Sequence, residues 1–282
     1  MNWDSLSVLI GRGDNLPMLS QVASSLMRLA DDPDSSHRTM AKFIEQDPAI
    51  SAKILRVANS AAYGGQDISS VNTALSMLGM KTIRSLAVSI AYQQVVSGKQ
   101  SCPSFSKLEF WRHSLAVGVA ARILGKMKDP AAADQLYFIG LFHDVGMLVL
   151  ERFLPQQFDT AIRLAQAGNL PLHQAEQHAM GFSHAEAGAL LAEKWGLPQA
   201  MWSPIRYHHE PMMDMENYTT TSFIAAADLL ANQSGFTNND PKGLAHDDSV
   251  LAPMELPEEQ VEIIRSVIGS EVDKAQQAFQ IR

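Results

Sequence analysis

One cysteine, Cys102, stands among 282 residues. A single thiol forms no internal disulfide and fits a reducing compartment, and it rules out a structural zinc held by several thiolates. Alternating apolar–polar runs of the kind that mark strands are nearly missing. Charge is sparse, 18% Asp, Glu, Lys and Arg, and its balance is −8, so a phosphate backbone meets repulsion and a nucleic-acid partner is not expected. The opening stretch MNWDSLSVLIGRGDNLP lacks a basic region followed by a long apolar run, so no signal peptide is expected. The longest apolar runs, Leu136–Phe142 and Val145–Leu150, are interrupted by His143 and Asp144, and neither is long enough to span a bilayer. These absences describe a cytoplasmic protein that avoids membranes and nucleic acids.

What is present is helix. Hydrophobic residues make up 46% of the chain, enough to bury a core and to exclude disorder over most of it. Leu19, Val22, Leu26 and Leu29 recur at helical spacing. Asp47-Pro48 reads as an N-cap with proline at the first helical position, opening a helix that Gly64-Gly65 ends. Ser70 precedes a short helix closed by Gly79, and another runs from Lys81 to about Val96. Residues 97–106, SGKQSCPSFS, read as a loop and the best internal boundary. Ser106 to Glu109 and Ser183 to Glu186 are capping-box spacings. Between them one helix runs to about Met127, and Asp129-Pro130 starts another through about Leu150. Further helices are expected from about Pro198 to His209 and from Thr219–Thr221 to about Asn232. After a loop-like stretch at 233–257, a last helix covers 258–279. The expectation is an all-α, multi-helical bundle: an N-terminal helical lobe at 1–100 packed on a lobe at 101–235 that carries the chemistry, then a C-terminal loop and helix at 236–282.

The informative residues are ionisable groups inside apolar helices. LYFIGLFHDVGMLVL (136–150) is apolar on nearly every face, so it is expected to be buried all round. A carboxylate buried there without a partner costs several kcal/mol, on the order of a full desolvation penalty, so His143 and Asp144 need compensation. Gly146 beside them admits a close backbone or ligand. His113 lies in FWRHSLAVGVAARIL and Asp228 in FIAAADLLA, His184 follows a capping serine, and His208-His209 close a helix. Each alone has an ordinary explanation: a satisfied core histidine, a solvated helix end suited to the dipole, an aspartate paired with arginine. As a set, imidazoles and carboxylates on separate helices suit a divalent metal centre of Fe, Mn, Zn, Co or Ni rather than Ca or Mg.

The order His113, His143-Asp144, His184, His208-His209, Asp228 resembles the ligand set of the HD superfamily of metal-dependent phosphohydrolases, in the fuller form of its HD-GYP branch. The segments DPAISAKILRVANSAAYGG (47–65), ISSVNTALSMLGMKTIRSLA (68–87), LFHDVGMLVL (141–150) and GFSHAEAGALLAEKWGLP (181–198) resemble the HDOD family more specifically. The resemblance implies that His113, His143, Asp144 and Asp228 hold one metal, and that Asp144 bridges to a second held by His184, His208 and His209. It implies two-metal hydrolysis, with Asp144 orienting the attacking water. Glu109, four residues before His113, matches a third-metal glutamate of some HD-GYP proteins, but its place in a capping box is reason enough for it.

The chain departs from that pattern in instructive ways. EPMMDMENY follows the paired histidines where HD-GYP proteins carry their Gly-Tyr-Pro signature, and Met147 and Ala231 stand where those families place lysines that meet phosphate. Arg112 and Arg206 adjoin expected ligands, although adjacent helical residues point about 100° apart. Two functions therefore stand side by side. One is a phosphohydrolase acting on a nucleotide or phosphodiester. The other is a signalling or binding module, with a protein partner, whose metal site is structural or vestigial. Asn59 and Ser60 belong to the HDOD pattern, and a loop-bonding role is expected for Asn59.

Overall fold

A computed structural model describes residues 3–12, 16–28, 36–60, 67–168, 170–238 and 248–279. Gly64-Gly65 and Leu29 lie outside the described residues. The elements seen are helices throughout, fifteen of them α-helices among the described residues. They fall into two units.

One unit contains α2 (Gln21–Arg28), α3 (His37–Glu45), α4 (Pro48–Ala58), α5 (Val71–Leu78) and α6 (Met80–Val96). Its helix starts follow the sequence closely. The Asp47 carboxylate accepts from the backbone N–H of Ala49 and Ile50 at 2.9 and 3.1 Å, ahead of Pro48. Ser70 Oγ accepts from Thr73 N at 3.1 Å, and Gly79 closes α5 with φ of 81°. Asn59 bonds the loop as expected: its Nδ2 donates to Ile68 O at 2.8 Å, and Ile68 N donates to its Oδ1 at 2.6 Å.

The other unit contains α1 (Trp3–Arg12), α7 (Lys107–Lys128), α8 (Ala133–Phe142), α9 (Gly146–Phe153), α10 (Pro155–Gly168), α11 (Leu172–Met180), α12 (His184–Lys194), α13 (Gln199–Tyr207) and α14 (Tyr218–Gln233), with α15 (Glu258–Phe279) entering it up to Val272. A 3-10 helix at Asp248–Met254 occupies part of the expected loop at 233–257, whose residues 239–247 lie outside the described ones. Ser106 Oγ accepts from Glu109 N at 3.2 Å to cap α7, and the Ser183–Glu186 capping box of α12 is complete. Cys102 is buried, with its thiol pushed up to about 11 by burial and by Asp159, so it stays a neutral, unreactive core group.

The helix expected from Asp129 to Leu150 is two helices. The stretch Ala133–Phe153 is apolar enough to cross a membrane by length and composition, and 89% of that window is buried inside the protein. The sequence pattern carries no proline or capping signal between Phe142 and Gly146, so the break was not readable from it. The break comes from tightened i→i+3 bonds: Val145 N to Phe142 O at 2.9 Å, Met147 N to Asp144 O at 2.9 Å and Leu148 N to Val145 O at 3.1 Å. This turn carries His143 and Asp144 at the centre of the unit.

Gly146, the first residue of α9, sits against the start of α12. A Cβ there would lie 1.9 Å from His184 O and 2.6 Å from Gly188 N. Both obstacles are backbone, so only glycine fits, and the close approach expected of Gly146 is made by another helix. Gly146→Ala is expected to destabilise the protein by at least about 3 kcal/mol, the upper end for overpacking, or to prevent folding. Chemical denaturation followed by circular dichroism checks this, and an unchanged midpoint contradicts the packing.

Candidate metal centre

Five segments converge on one buried point. α7 presents His113, the turn after α8 presents His143 and Asp144, the first turn of α12 presents His184, the end of α13 presents His208 and His209, and α14 presents Asp228. The structure brings all seven expected residues together. They form two groups, His113, His143 and Asp228 in one and Asp144, His184, His208 and His209 in the other, with ligand-capable atoms within 4.8 Å of one another in each. All are buried except His209, which is partly buried.

Asp144 stands between the groups. Its Oδ2 lies 3.3 Å from His143 Nε2 and 3.5 Å from His113 Nε2. Its Oδ1 lies 3.1 Å from His184 Nε2 and 3.5 Å from His208 Nε2. One carboxylate oxygen faces each group. Asp228 Oδ1 completes the first, 3.2 Å from His113 Nε2 and 3.9 Å from His143 Nε2.

In four of the five rings the other nitrogen is engaged elsewhere. His113 Nδ1 donates to Phe236 O at 2.7 Å, His143 Nδ1 to Gly140 O at 2.8 Å and His208 Nδ1 to Ile205 O at 2.7 Å. His184 Nδ1 donates to the Glu176 carboxylate at 2.7 Å. A carbonyl or carboxylate acceptor fixes the tautomer, so in the neutral ring each Nε2 is a bare lone pair. Yet His113 and His143 Nε2 lie 3.3 Å apart, and His184 and His209 Nε2 lie 2.9 Å apart. Between His113 and His143 two lone pairs face each other and require a positive charge between or beside them, whereas His209 Nδ1 has no partner, so its Nε2 can carry the hydrogen and donate to His184 Nε2. The buried His208 Nε2 has no hydrogen-bond partner. The donor set therefore fits divalent cations of the imidazole–carboxylate type.

Without a metal, protons supply that charge. Burial opposes charge on His113, but Asp228 and Asp144 outweigh it and raise its pKa above the ordinary histidine value. Burial likewise opposes charge on His184, while Glu176 and Asp144 lift its pKa well above that value. His208 and His209 go the other way: burial lowers both, with neighbouring rings adding to the effect. Asp144, despite burial, is held well below the usual carboxylate range by His143 and His184. Asp228 is lowered in the same manner by His113.

Three residues around the centre were not foreseen. Glu176 of α11 is fully buried and accepts from both the backbone N and Nδ1 of His184, each at 2.7 Å. Its signal was available: a glutamate next to Ala175 on the apolar face that Leu172 begins. Asn232, one helical turn after Asp228, donates to its Oδ1 at 2.8 Å, and an amide at i+4 from a buried acid is a readable hint. Asn238 donates to Asp144 Oδ2 at 2.6 Å and lies 3.1 Å from Met147 Sδ. Nothing in the sequence near Asn238 marks it, because a loop brings it there.

The two positions lacking lysine are filled by buried, apolar Met147 and Ala231. Arg112 lies over the Phe236 ring, 5.5 Å from its centroid. Arg206 lines a cleft of about 460 Å³ with His173, Gln177, Tyr207 and His209. Glu109 is exposed on α7 and belongs to neither ligand group.

The HDOD domain model matches residues 16–211. A solved HDOD domain protein of Geobacter sulfurreducens superposes with a TM-score of 0.81 at 22% identity, covering 98% of this chain and 96% of that one. A solved protein of Shewanella amazonensis, described as a candidate phosphohydrolase, superposes with a TM-score of 0.74 at 21% identity, covering 96% and 97%. At these identities the likeness establishes the fold. An uncharacterised protein of Treponema pallidum is 26% identical over 209 residues, which are 73% of this chain and 40% of that protein, so the chain spans less than half the length of this curated relative. With a family match over most of its length and the all-helical fold of its solved relatives, the chain belongs to the HDOD family.

Proposed function

We propose that the chain is an HDOD regulatory module built around a dinuclear divalent-metal centre. His113, His143 and Asp228 hold one ion, His184, His208 and His209 hold the other, and Asp144 bridges them. The observation that carries this reading is the placement of Asp144, one oxygen toward each group of imidazoles. The mixed nitrogen and oxygen donors favour Fe or Mn, with Zn, Ni and Co as alternatives. The cavity beside the ligands is about 20 Å³, room for one water. No lysine or arginine lines it among the described residues. That favours sensing or signalling through a protein partner, in the cytoplasm, over turnover of a phosphorylated substrate.

The second reading is a phosphohydrolase acting on a nucleotide or phosphodiester, the activity class in the description of the Shewanella structure. The bridging position of Asp144 favours it. A bound ion pair would supply acidified water and neutralise phosphoryl charge. This chain's own part would be Asp144 orienting the attacking water and Arg206, in the cleft beside His209, meeting the anion.

Elemental analysis of the purified protein is expected to find two ions per chain, and both are lost in Asp144→Ala. A chain holding none overturns the centre. With Mn or Fe loaded, the regulatory reading expects no turnover of mono-, di- or cyclic nucleotides, and sustained turnover of any of them decides for the hydrolase.

Glu176 acts on the second ion through His184. Glu176→Gln is expected to weaken metal affinity about 10- to 100-fold, the usual effect of losing an outer-shell carboxylate, with the helical spectrum unchanged. Equal affinity in competition with a chromophoric chelator contradicts this.

Metal uptake is also expected to release protons. His113 and His184 have raised pKa values in the metal-free protein, so they carry protons that binding displaces, and apparent affinity rises with pH. Calorimetry in two buffers of different ionisation enthalpy reads the number released, and none released contradicts the assignment.

A further inference from the structure

The buried centre lies between two clefts, and a different residue separates it from each. His209 lines both the centre's small cavity and the 460 Å³ cleft. Asn238 lines both that cavity and a second cleft of about 380 Å³. His209 is a poor door, because its Nε2 faces His184 Nε2 at 2.9 Å and it belongs to a ligand group. Moving it dismantles the group. Asn238 belongs to neither group. Its amide donates to Asp144 Oδ2 at 2.6 Å, the oxygen that faces His113 and His143.

The second cleft has a distinct chemistry. Ser104, Ser106, Gln166 and Thr237 supply hydroxyl and amide oxygens, and Glu109 supplies a carboxylate. No lysine or arginine is among its described lining residues. Oxygen donors and one negative charge suit a hydrated divalent cation and disfavour a phosphate.

We propose that Asn238 is the gate of the metal centre, and that the polar cleft outside it is the route by which a hydrated divalent cation reaches the ligands. This rests on the metal-centre reading above. With the amide in place, the centre's cavity admits nothing larger than water. With the amide turned away, the cavity joins the 380 Å³ cleft. The barrier to opening includes the hydrogen bond to the Asp144 carboxylate and the contact with Met147 Sδ.

The test uses the full chain and Co²⁺, whose visible absorption reports occupancy. Uptake is followed by stopped flow, and release is followed after adding excess EDTA. Asn238→Ala is expected to speed both uptake and release by about tenfold or more, the factor carried by one hydrogen bond to a charged group, with affinity little changed. Faster release with unchanged uptake overturns the gate and makes Asn238 a positioning residue for Asp144. Equal rates in both directions also overturn it. A chain that takes up no Co²⁺ overturns the metal centre itself, which separates the two failures. Should Asn238→Ala not fold, Asn238→Ser is measured by the same criteria. Glu109→Gln is expected to slow uptake about two- to threefold at low ionic strength by removing the cleft's carboxylate, and unchanged uptake overturns the cleft as the route.

Discussion

Four imidazoles at the heart of this protein have one nitrogen tied down so that the other can face inward. Three of the tethers are backbone carbonyls, and two of these exist because a helix stops. α8 ends at Phe142, which frees Gly140 O for His143 Nδ1, and α13 ends at Tyr207, which frees Ile205 O for His208 Nδ1. Carbonyls at a helix C-terminus lack intrahelical partners, and here the ring three residues later supplies the donor. Helix termination and ring orientation are one arrangement, repeated at two helix ends. The fourth tether, Glu176, does the same work from a side chain.

Much of this was legible, for physical reasons that differ by element. Asp47-Pro48, Ser70 and Ser183 announced helix starts because capping chemistry is local and acts over three or four residues. The convergence of these seven residues was legible in part because a charge in an apolar run needs a partner, as at His113, His143, Asp144 and Asp228, and for His184, His208 and His209 through the resemblance to the HD ligand order. The break between α8 and α9 was not legible: LYFIGLFHDVGMLVL has uniform apolar periodicity, and only packing around His143 and Asp144 decides where it turns. Glu176 went unread although it follows Ala175 on the apolar face of α11, because a single acid in a mostly polar helix is ordinarily solvated. Asn238 could not be read, since its contact with Asp144 spans 94 positions of the chain.

The same contrast bears on function. The ligand residues and their tethers are complete, while the positions that would hold cations against a phosphate are apolar and closed. Met147 lies beside Asn238 at the wall of the cavity, so the position that would carry a phosphate lysine instead helps to close it. On the proposed reading, a chain with the ion-holding groups of a two-ion site and without phosphate-holding cations would be suited to report occupancy more than to turn over a substrate.

The contact at Gly146 has a consequence for any ions that the proposed centre holds. The backbone that carries Asp144 is in direct contact with the backbone that carries His184, with no side chain between to compress or re-rotamerise. The separation between the shared carboxylate and the second group is therefore set by main-chain atoms. A larger or smaller cation cannot be accommodated by letting those two segments drift. Any adjustment falls on the opposite rim, where the asparagine-lined wall is held through side chains. A centre so built has a fixed jaw and an adjustable one, and its preference among metals would be decided at the adjustable side.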